Sequence, residues 1–578
     1  MVPDSTGDNI GKQVQGRVAQ EAAAIAPGGS GGDMAESDAD RCDRVSREIC
    51  DMAKMIAGRV AAEEAGLSPS RASGSGGAGD AGEPKITSKL IHECLFANEL
   101  GDATLYATQF RDQYLFCKST QEWFEWAGHF WQRDIMKRSL AAIEQIAEHY
   151  LVEYKRISGR IGDMITAGEA ESGAEEIKKL RAQQASLLKR ASQLRADKRR
   201  TACLKFAHTI DNPIAITGEE FDSKPMLFPC ANGVIDLETG RLKPGRPGDF
   251  LSMASPVAFE GIDTPALLWE KTLLEIFGGN ADLVAYIQRL FGYAMTGLVN
   301  EKVFPVLYGR TGWNGRSLIV ETISYVMGAL AGSIPAEMLL SQRYGKSSSG
   351  PAPDIMSLKG IGMAFASEID EGQRFSASKI KWLTGKDELV GRNPHDKYQT
   401  RFAPTHKLFL MTNTQPQAPP NDKAFWWRLA LIPFMISFVN RDPQEANERR
   451  AILDLDQQVL KEAPGILAWL VRGCLLWQKH GLMPPKEITE ATEQYRRNED
   501  LLADFIDECC IREPGAKEKA SLLYARFVEW YHDNIGKSEP TGTWFGKQLG
   551  QKYDKWKSEG FVLYRGIALS SKQGEIDS

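Results

Sequence analysis

Three glycines, two arginines and a serine crowd into the stretch LYGRTGWNGRS, Leu307 to Ser317, directly after the apolar run VFPVLY. A glycine turn between a strand and a helix can aim backbone N–H groups and the helix N-terminus at an anion, while a cation neutralises it and a hydroxyl holds a metal. Arg316 is the cation of such an arrangement and Ser317 the magnesium ligand. Two features depart from the standard phosphate loop. Arginine stands where lysine is usual, and Gly309 lies six positions before Gly315, one more than the standard spacing.

Two further runs carry chemistry in the right order. GIGMAFASEIDEG is an apolar strand ending in carboxylates, Glu368, Asp370 and Glu371, where a magnesium partner and a water-orienting base are needed. KLFLMTNTQP is another, delivering Asn413 at its end. An amide there can reach an attacking water or a terminal phosphate; the alternative is a turn residue before Pro416. Strand, loop, helix, acidic strand and polar-tipped strand imply an α/β fold, with a parallel sheet and ligands at the carboxyl ends of its strands.

The rest of the chain must position these residues. With 578 residues it has room for three or four domains of about 150 residues each. Hydrophobic residues at 42%, charged residues at 25% and a net charge of −6 are ordinary globular values, so any basic surface must be local. Nine cysteines form no CxxC pair, so neither a zinc ribbon nor a disulfide framework is indicated. No run approaches the roughly 18 apolar residues of a membrane span, and MVPDSTGDNIGKQ lacks a signal-peptide core. The expectation is a cytoplasmic protein with no membrane partner.

Residues 1–84, rich in Gly, Ala, Ser and Asp, cannot bury enough apolar surface to offset their ordering entropy and are expected to form a tail, with one helix near residues 40–65. Residues 85–264 are expected to form an α+β lead-in domain. Its aromatic-rich strands hold Trp123, Trp126 and Trp131, read as core packing rather than base-stacking platforms. Ile177, Leu180, Leu187 and Leu194 lie near heptad positions of a helical hairpin broken at TAGEAESG, and the basic run LKRASQLRADKRR reads as a solvated face. Residues 265–440 are expected to hold the parallel sheet with the glycine loop, and 441–505 a helical region. Residues 506–578 read as helix, helix and a two-strand wing, with Lys547, Gln548, Lys552 and Lys555 as possible contacts.

Together, LYGRTGWNGRS, ASEIDEG, KIKWLTGKDELVGR, KLFLMTNTQP and WWRLALIPF resemble the phage, plasmid and poxvirus primase-helicase family, whose motor is a superfamily-three helicase of the AAA+ class. GVIDLETGRL is similar to that family's lead-in domain and ATEQYRRNEDLLADFIDECC to its C-terminal region. The resemblance implies that Gly312, Asn314, Gly315, Arg316 and Ser317 surround the phosphates of ATP with Mg2+, with Gly309 opening the loop. It makes Glu368 the strand-end acid and metal partner, with Asp370 the alternative, and Asn413 the sensor. Arg428 matches the arginine expected to reach a neighbouring subunit's nucleotide, as a planar guanidinium suits; a structural ion pair is the alternative. In GRNPHDKYQTRF, a hairpin of such rings projects into the central channel, so His395 and Lys397 at its tip, flanked by Arg392 and Arg401, would grip the DNA backbone.

The resemblance implies an ATP-dependent DNA helicase or translocase of phage or mobile-element replication in a bacterial host cell. It would act as a homo-oligomer, a hexamer, on single-stranded or forked DNA, with a primase or other replication protein in trans. The alternatives are a nucleotide-gated origin-binding initiator and an assembly scaffold. Primer synthesis by this chain is not expected, since no polymerase carboxylate constellation precedes the motor.

Overall fold

The apolar runs around the glycine turn form the middle of a five-stranded parallel sheet in the computed structural model. The structure describes residues 86–168, 171–341, 350–367, 369–370, 372–394, 399–499, 501–534, 539–558 and 560–570. The tail read at residues 1–84 lies outside these, as do Glu368, Glu371, His395 and Lys397.

The lead-in portion begins with helices α1 (Ser88–Phe96) and α2 (Asn98–Phe110). The aromatic run follows as an antiparallel meander of β1 (Tyr114–Cys117), β2 (Glu122–Trp126) and β3 (Trp131–Arg133). The heptad pattern becomes α3 (Ile143–Thr166) and α4 (Ala174–Leu194), followed by α5 (Asp197–Ala207). Strand β4 (Ala215–Ile216) then pairs in parallel with β1. Ile157, Ile161, Ile177, Leu180 and Leu187 close the helical hairpin as one apolar seam. The basic run is not simply a solvated face. Arg190 and Arg199 turn inward to Asp102, at 2.9 and 2.8 Å, and Tyr150 Oη donates to the same carboxylate.

A second meander of β5 (Leu227–Cys230), β6 (Gly233–Asp236) and β7 (Arg241–Lys243) leads to helices α6 (Leu267–Ile276) and α7 (Ala281–Ala294). The sheet follows: β8 (Phe304–Tyr308), helix α8 (Arg316–Met327), β9 (Ala331–Ile334) and β10 (Met363–Ser367). A short antiparallel pair, β11 (Leu389–Gly391) and β12 (Thr400–Phe402), precedes β13 (Lys407–Thr412) and β14 (Leu429–Pro433). The strand order is β14-β8-β13-β10-β9, with every neighbour parallel. Continuous apolar runs rather than alternating ones suit strands covered on both faces. Register fixes the level of the ends: Thr412 lies opposite Tyr308 and Ser367 opposite Met411.

In residues 441–505 a short strand precedes the helices. Beyond β14 the chain first forms a parallel pair, β15 (Ser437–Val439) and β16 (Glu448–Arg450). Helix α9 (Ala463–His480) then joins the core that holds α6, α7 and α8. Glycine makes this possible: a Cβ on Gly292 of α7 would stand 2.1 Å from Cys474 N, and one on Gly473 would stand 2.1 Å from Gln288 O. The two helices meet backbone to backbone.

Helix α10 (Lys486–Asn498) leads to a module with its own core around Phe505, Phe527, Phe545 and Tyr564. It comprises α11 (Leu501–Cys509), β17 (Lys517–Lys519), α12 (Ala520–Asn534), α13 (Gly542–Lys552), β18 (Lys555–Ser558) and β19 (Phe561–Arg565). Strand β17 adds a third member to the expected two-strand wing, in the order β17-β19-β18. Gln548, expected as a contact, accepts instead from Asn421 Nδ2 at 2.8 Å. No helix among the described residues is long and apolar enough to cross a membrane.

Candidate functional site

The loop between β8 and α8 is shaped by where it cannot carry a side chain. Gly315 has φ +82°, and a Cβ there would stand 2.5 Å from Ile276 Cγ1. A Cβ on Gly309 would stand 2.0 Å from Asn314 Nδ2. Asn314, 3% exposed, folds across Gly309 and donates from Nδ2 to the Thr311 carbonyl at 2.6 Å, which absorbs the extra loop residue. Trp313 takes a left-handed φ of +57° and stands 76% exposed. Its carbonyl accepts from Phe438 N at 2.7 Å, and Thr311 Oγ1 lies 2.8 Å from Ser437 Oγ. The loop is thus moored to β15.

Arg316, expected to face the phosphates, points into the sheet. Its Nε donates to Asn314 Oδ1 at 3.1 Å and its Nη1 to the Leu307 carbonyl at 3.2 Å. Nη1 also reaches the Thr412 carbonyl, and Nη2 reaches Asn413 Oδ1. The fork therefore spans the carboxyl ends of β8 and β13. Burial pulls its pKa below the usual arginine value, and all the partners it binds are neutral.

The other expected residues divide between the two ends of the sheet. Ser317 is exposed in the first turn of α8. Asn413 follows β13 directly, and Asp370, exposed, lies three residues beyond β10. Glu368, next after β10, is outside the described residues. Gly309, Gly312, Asn314, Arg316, Ser317 and Asn413 thus gather at one edge, with Asp370 following the neighbouring strand. Arg428 sits at the opposite edge: its carbonyl accepts from Phe304 N, the first residue of β8. At about 3.3 Å per residue, five strand residues put it roughly 16 Å from its own loop. Its Nη1 caps the Ala424 carbonyl at 2.7 Å, its Nε is buried without a partner, and no ion pair holds it among the described residues. Arg392 and Arg401 flank the turn after β11, with Arg401 exposed opposite Val390; the tip with His395 and Lys397 lies outside the described residues.

No motif or spacing marks Lys407 as special. Opening β13 at the amino edge and 3% exposed, it donates to the Thr405 carbonyl at 3.0 Å and to the Thr296 carbonyl, under the Tyr293 ring at 4.7 Å. Burial pushes its pKa down to about 7. An apolar strand that begins with a charged residue normally begins at the surface.

Residues 103–278 match the family model described as D5 N terminal like. Among curated proteins, the chain is 28% identical over 326 residues to "Putative helicase L207/L206" of Acanthamoeba polyphaga mimivirus, covering 54% of this chain and 34% of that protein. It is 23% identical over 398 residues to "Putative helicase 022R" of Frog virus 3, covering 56% and 40%. It is 22% identical over 375 residues to "Putative primase C962R" of African swine fever virus, covering 61% and 38%. The chain spans between about a third and two fifths of the length of these relatives. Among solved structures, it is similar to the apo C-terminal region of NrS-1, at 13% identity and a TM-score of 0.38, over 64% of this chain and 90% of that one.

Proposed function

This chain belongs to the D5-like primase-helicase family, and on that premise we propose that it is an ATP-driven DNA translocase of the superfamily-three, AAA+ class, working as a ring of six copies. The observation that carries the proposal is the level carboxyl edge of the sheet. The glycine loop follows β8, Asn413 follows β13 and the carboxylates follow β10, in the order β14-β8-β13-β10-β9. The relatives' names divide between helicase and primase, and this edge supports the helicase half. They come from viruses such as mimivirus and Frog virus 3, so they lend the expected phage and bacterial setting no support.

The donor set fits a nucleotide with magnesium, an ion that keeps several waters and takes one or two carboxylates plus phosphates. Bound there, the group supplies the phosphoryl centre and its counter-ion. Gly312, Asn314 and Gly315 would present backbone N–H groups, Ser317 a hydroxyl, and Glu368 or Asp370 a carboxylate that takes a proton from water. Asn413 would orient that water once Arg316 releases it, and Arg428, remote from its own loop, would serve the neighbouring copy. The flanked turn with His395 and Lys397 would hold one DNA strand in the channel. A second reading is a nucleotide-gated initiator that hydrolyses little, favoured by the engagement of Arg316 with Asn413.

Phosphate release by the intact chain, with and without single-stranded DNA, tests this. We expect DNA to stimulate release and Asn413→Ala to lower it by about 10²–10³-fold. ATP bound without release on any DNA, together with a footprint at a specific duplex site, would favour the initiator.

A further inference from the structure

The lead-in portion holds a cleft that the site at the sheet edge does not use. It has a volume of about 670 Å³, within the range of small-molecule sites, and lies where β2, the turn after β3 and α5 meet. Trp123, Leu140 and Leu204 form its apolar part. Arg133, Lys137, Ser139, Thr201, Lys205 and His208 supply hydrogen-bond donors around it.

The acids in the lining are already engaged. Glu122 is paired with Arg133. Asp134 accepts Arg138 N at 2.7 Å and Ser139 N at 2.8 Å, one on each oxygen, capping the short helix beyond. No ion pair holds Lys137 or Lys205 among the described residues. His208 is fixed from behind: its ring stacks on Phe116 at 3.8 Å and 9°, and Lys118 Nζ lies 2.9 Å from Nδ1. An ammonium can only donate, so Nδ1 must accept and Nε2 must carry the proton. Lys118 adds positive charge behind the ring, and burial together with Lys118 keeps the imidazole pKa below its usual value, so the ring is a neutral donor. An aromatic and aliphatic wall beside two uncommitted ammonium groups suits a ligand with a flat apolar part and an anionic part.

We propose that this cleft binds a nucleotide unit, with the base against Trp123 and the phosphate toward Lys137 and Lys205, taken either as a free nucleotide or as part of a single strand. Trp123, grouped above with the packing tryptophans, differs from Trp131: it is half-buried and lines the cleft, whereas Trp131 is 1% exposed. The inference does not rest on the loop after β8.

The test is anisotropy of two probes on the full chain: a labelled thymidine monophosphate, which lacks the β- and γ-phosphates that a phosphate loop grips, and a labelled oligothymidylate. The double variant Lys137→Ala/Lys205→Ala should weaken at least one probe by about tenfold and flatten the salt dependence by roughly one unit per lost phosphate contact. Trp123→Leu should weaken the same probe by about tenfold, the scale of one lost base stack, and Trp123→Phe should restore most of it, which excludes a folding defect. Weakening of the monophosphate identifies a free-nucleotide site; weakening of the oligomer alone identifies a strand site. Unchanged affinity of both probes in the double variant, with an unchanged melting curve, would overturn the proposal. So would a loss confined to the lysines with Trp123→Leu unaffected, which would leave a plain anion site. Basal phosphate release should not change in the lysine variant, so failure here is distinguishable from failure at the loop.

Discussion

Two buried arginines solve the same problem differently. Arg190, in the lead-in hairpin, meets a carboxylate: Nη1 lies 2.9 Å from Asp102, and it also donates to the carbonyls of Leu95 and Asn98 and to Asn98 Oδ1. Arg316, at the sheet edge, meets only carbonyls and two amides. A compensated pair fixes helices to one another, whereas an uncompensated cation leaves a site with positive potential to spare. Lys407 is the third case. Buried among carbonyls and an aromatic ring, it has room to lose its proton, which a guanidinium does not. The contrast shows what arginine can do in the loop: held inward as Arg316 is, a lysine would be driven toward neutrality, as Lys407 is, and it keeps its charge only when turned out toward a phosphate.

The sharpest way to break the comparison is to remove one arginine at a time. Arg190→Ala should cost about 3 kcal/mol in denaturant unfolding, because buried Asp102 keeps Arg199 and Tyr150 but loses its most buried partner. Arg316→Ala should cost far less stability, since no buried carboxylate is orphaned. If both variants lose equal stability, Arg316 is a structural strut and the contrast fails.

Activity should show the reverse order. Arg316→Ala and Asn413→Ala should each lower DNA-stimulated phosphate release by about 10²–10³-fold, the scale of one missing charge-stabilising group, while Arg190→Ala leaves the turnover of folded protein near normal. Arg316→Lys should preserve or raise turnover: a single ammonium cannot span Leu307, Thr412 and Asn413 at once and is freer to meet a phosphate. A mixture of Arg428→Ala and Asn413→Ala chains should recover part of the activity, because some interfaces then pair one intact half with another. Mixed rings as inactive as the parents would remove Arg428 from the shared site.

The strands and glycine turn were legible because their signals are local. A continuous apolar run marks a strand covered on both faces, and a turn that must pass Ile276 and Asn314 demands glycine. Long-range facts were not legible. That Arg190 and Arg199 turn inward depends on Asp102, about ninety residues away in sequence, and no periodicity records it. The merging of α9 with α7 depends on two glycines facing each other, which in a single sequence look like helix weaknesses. At the site, the residue types were readable but the direction of Arg316 was not, because its partners are main-chain carbonyls that every residue possesses.

Lys407 sharpens the comparison through pH. Its folded pKa of about 7 lies below the value of roughly 10.4 for an exposed lysine, so between those values the unfolded chain binds more protons than the folded one. Stability should therefore rise with pH across that window, by at most about 1.4 kcal/mol per pH unit, with the full penalty present below pH 7. Lys407→Met should flatten the rise in a pH series of melting or urea curves. Arg316→Met should leave it intact, because a guanidinium does not titrate there. A Lys407→Met chain that keeps the full slope would mean that another group is responsible.

The smallest effect belongs to the exposed cation, Arg401, opposite Val390 on the β11–β12 pair. Unlike Arg190 and Arg316 it stays exposed on folding, so its removal should change stability by no more than about 0.5 kcal/mol. If the turn it flanks holds a DNA strand, its charge replaces a condensed counter-ion on one phosphate. Arg401→Ala should then weaken single-stranded DNA binding a few-fold and reduce the slope of log affinity against log salt by roughly one unit, leaving DNA-independent phosphate release unchanged. His395→Ala and Lys397→Ala, between Arg392 and Arg401 in the sequence, should act in the same direction. An unchanged salt slope in all three variants would take this turn out of the DNA path, and the charges at the sheet edge would then act on nucleotide alone.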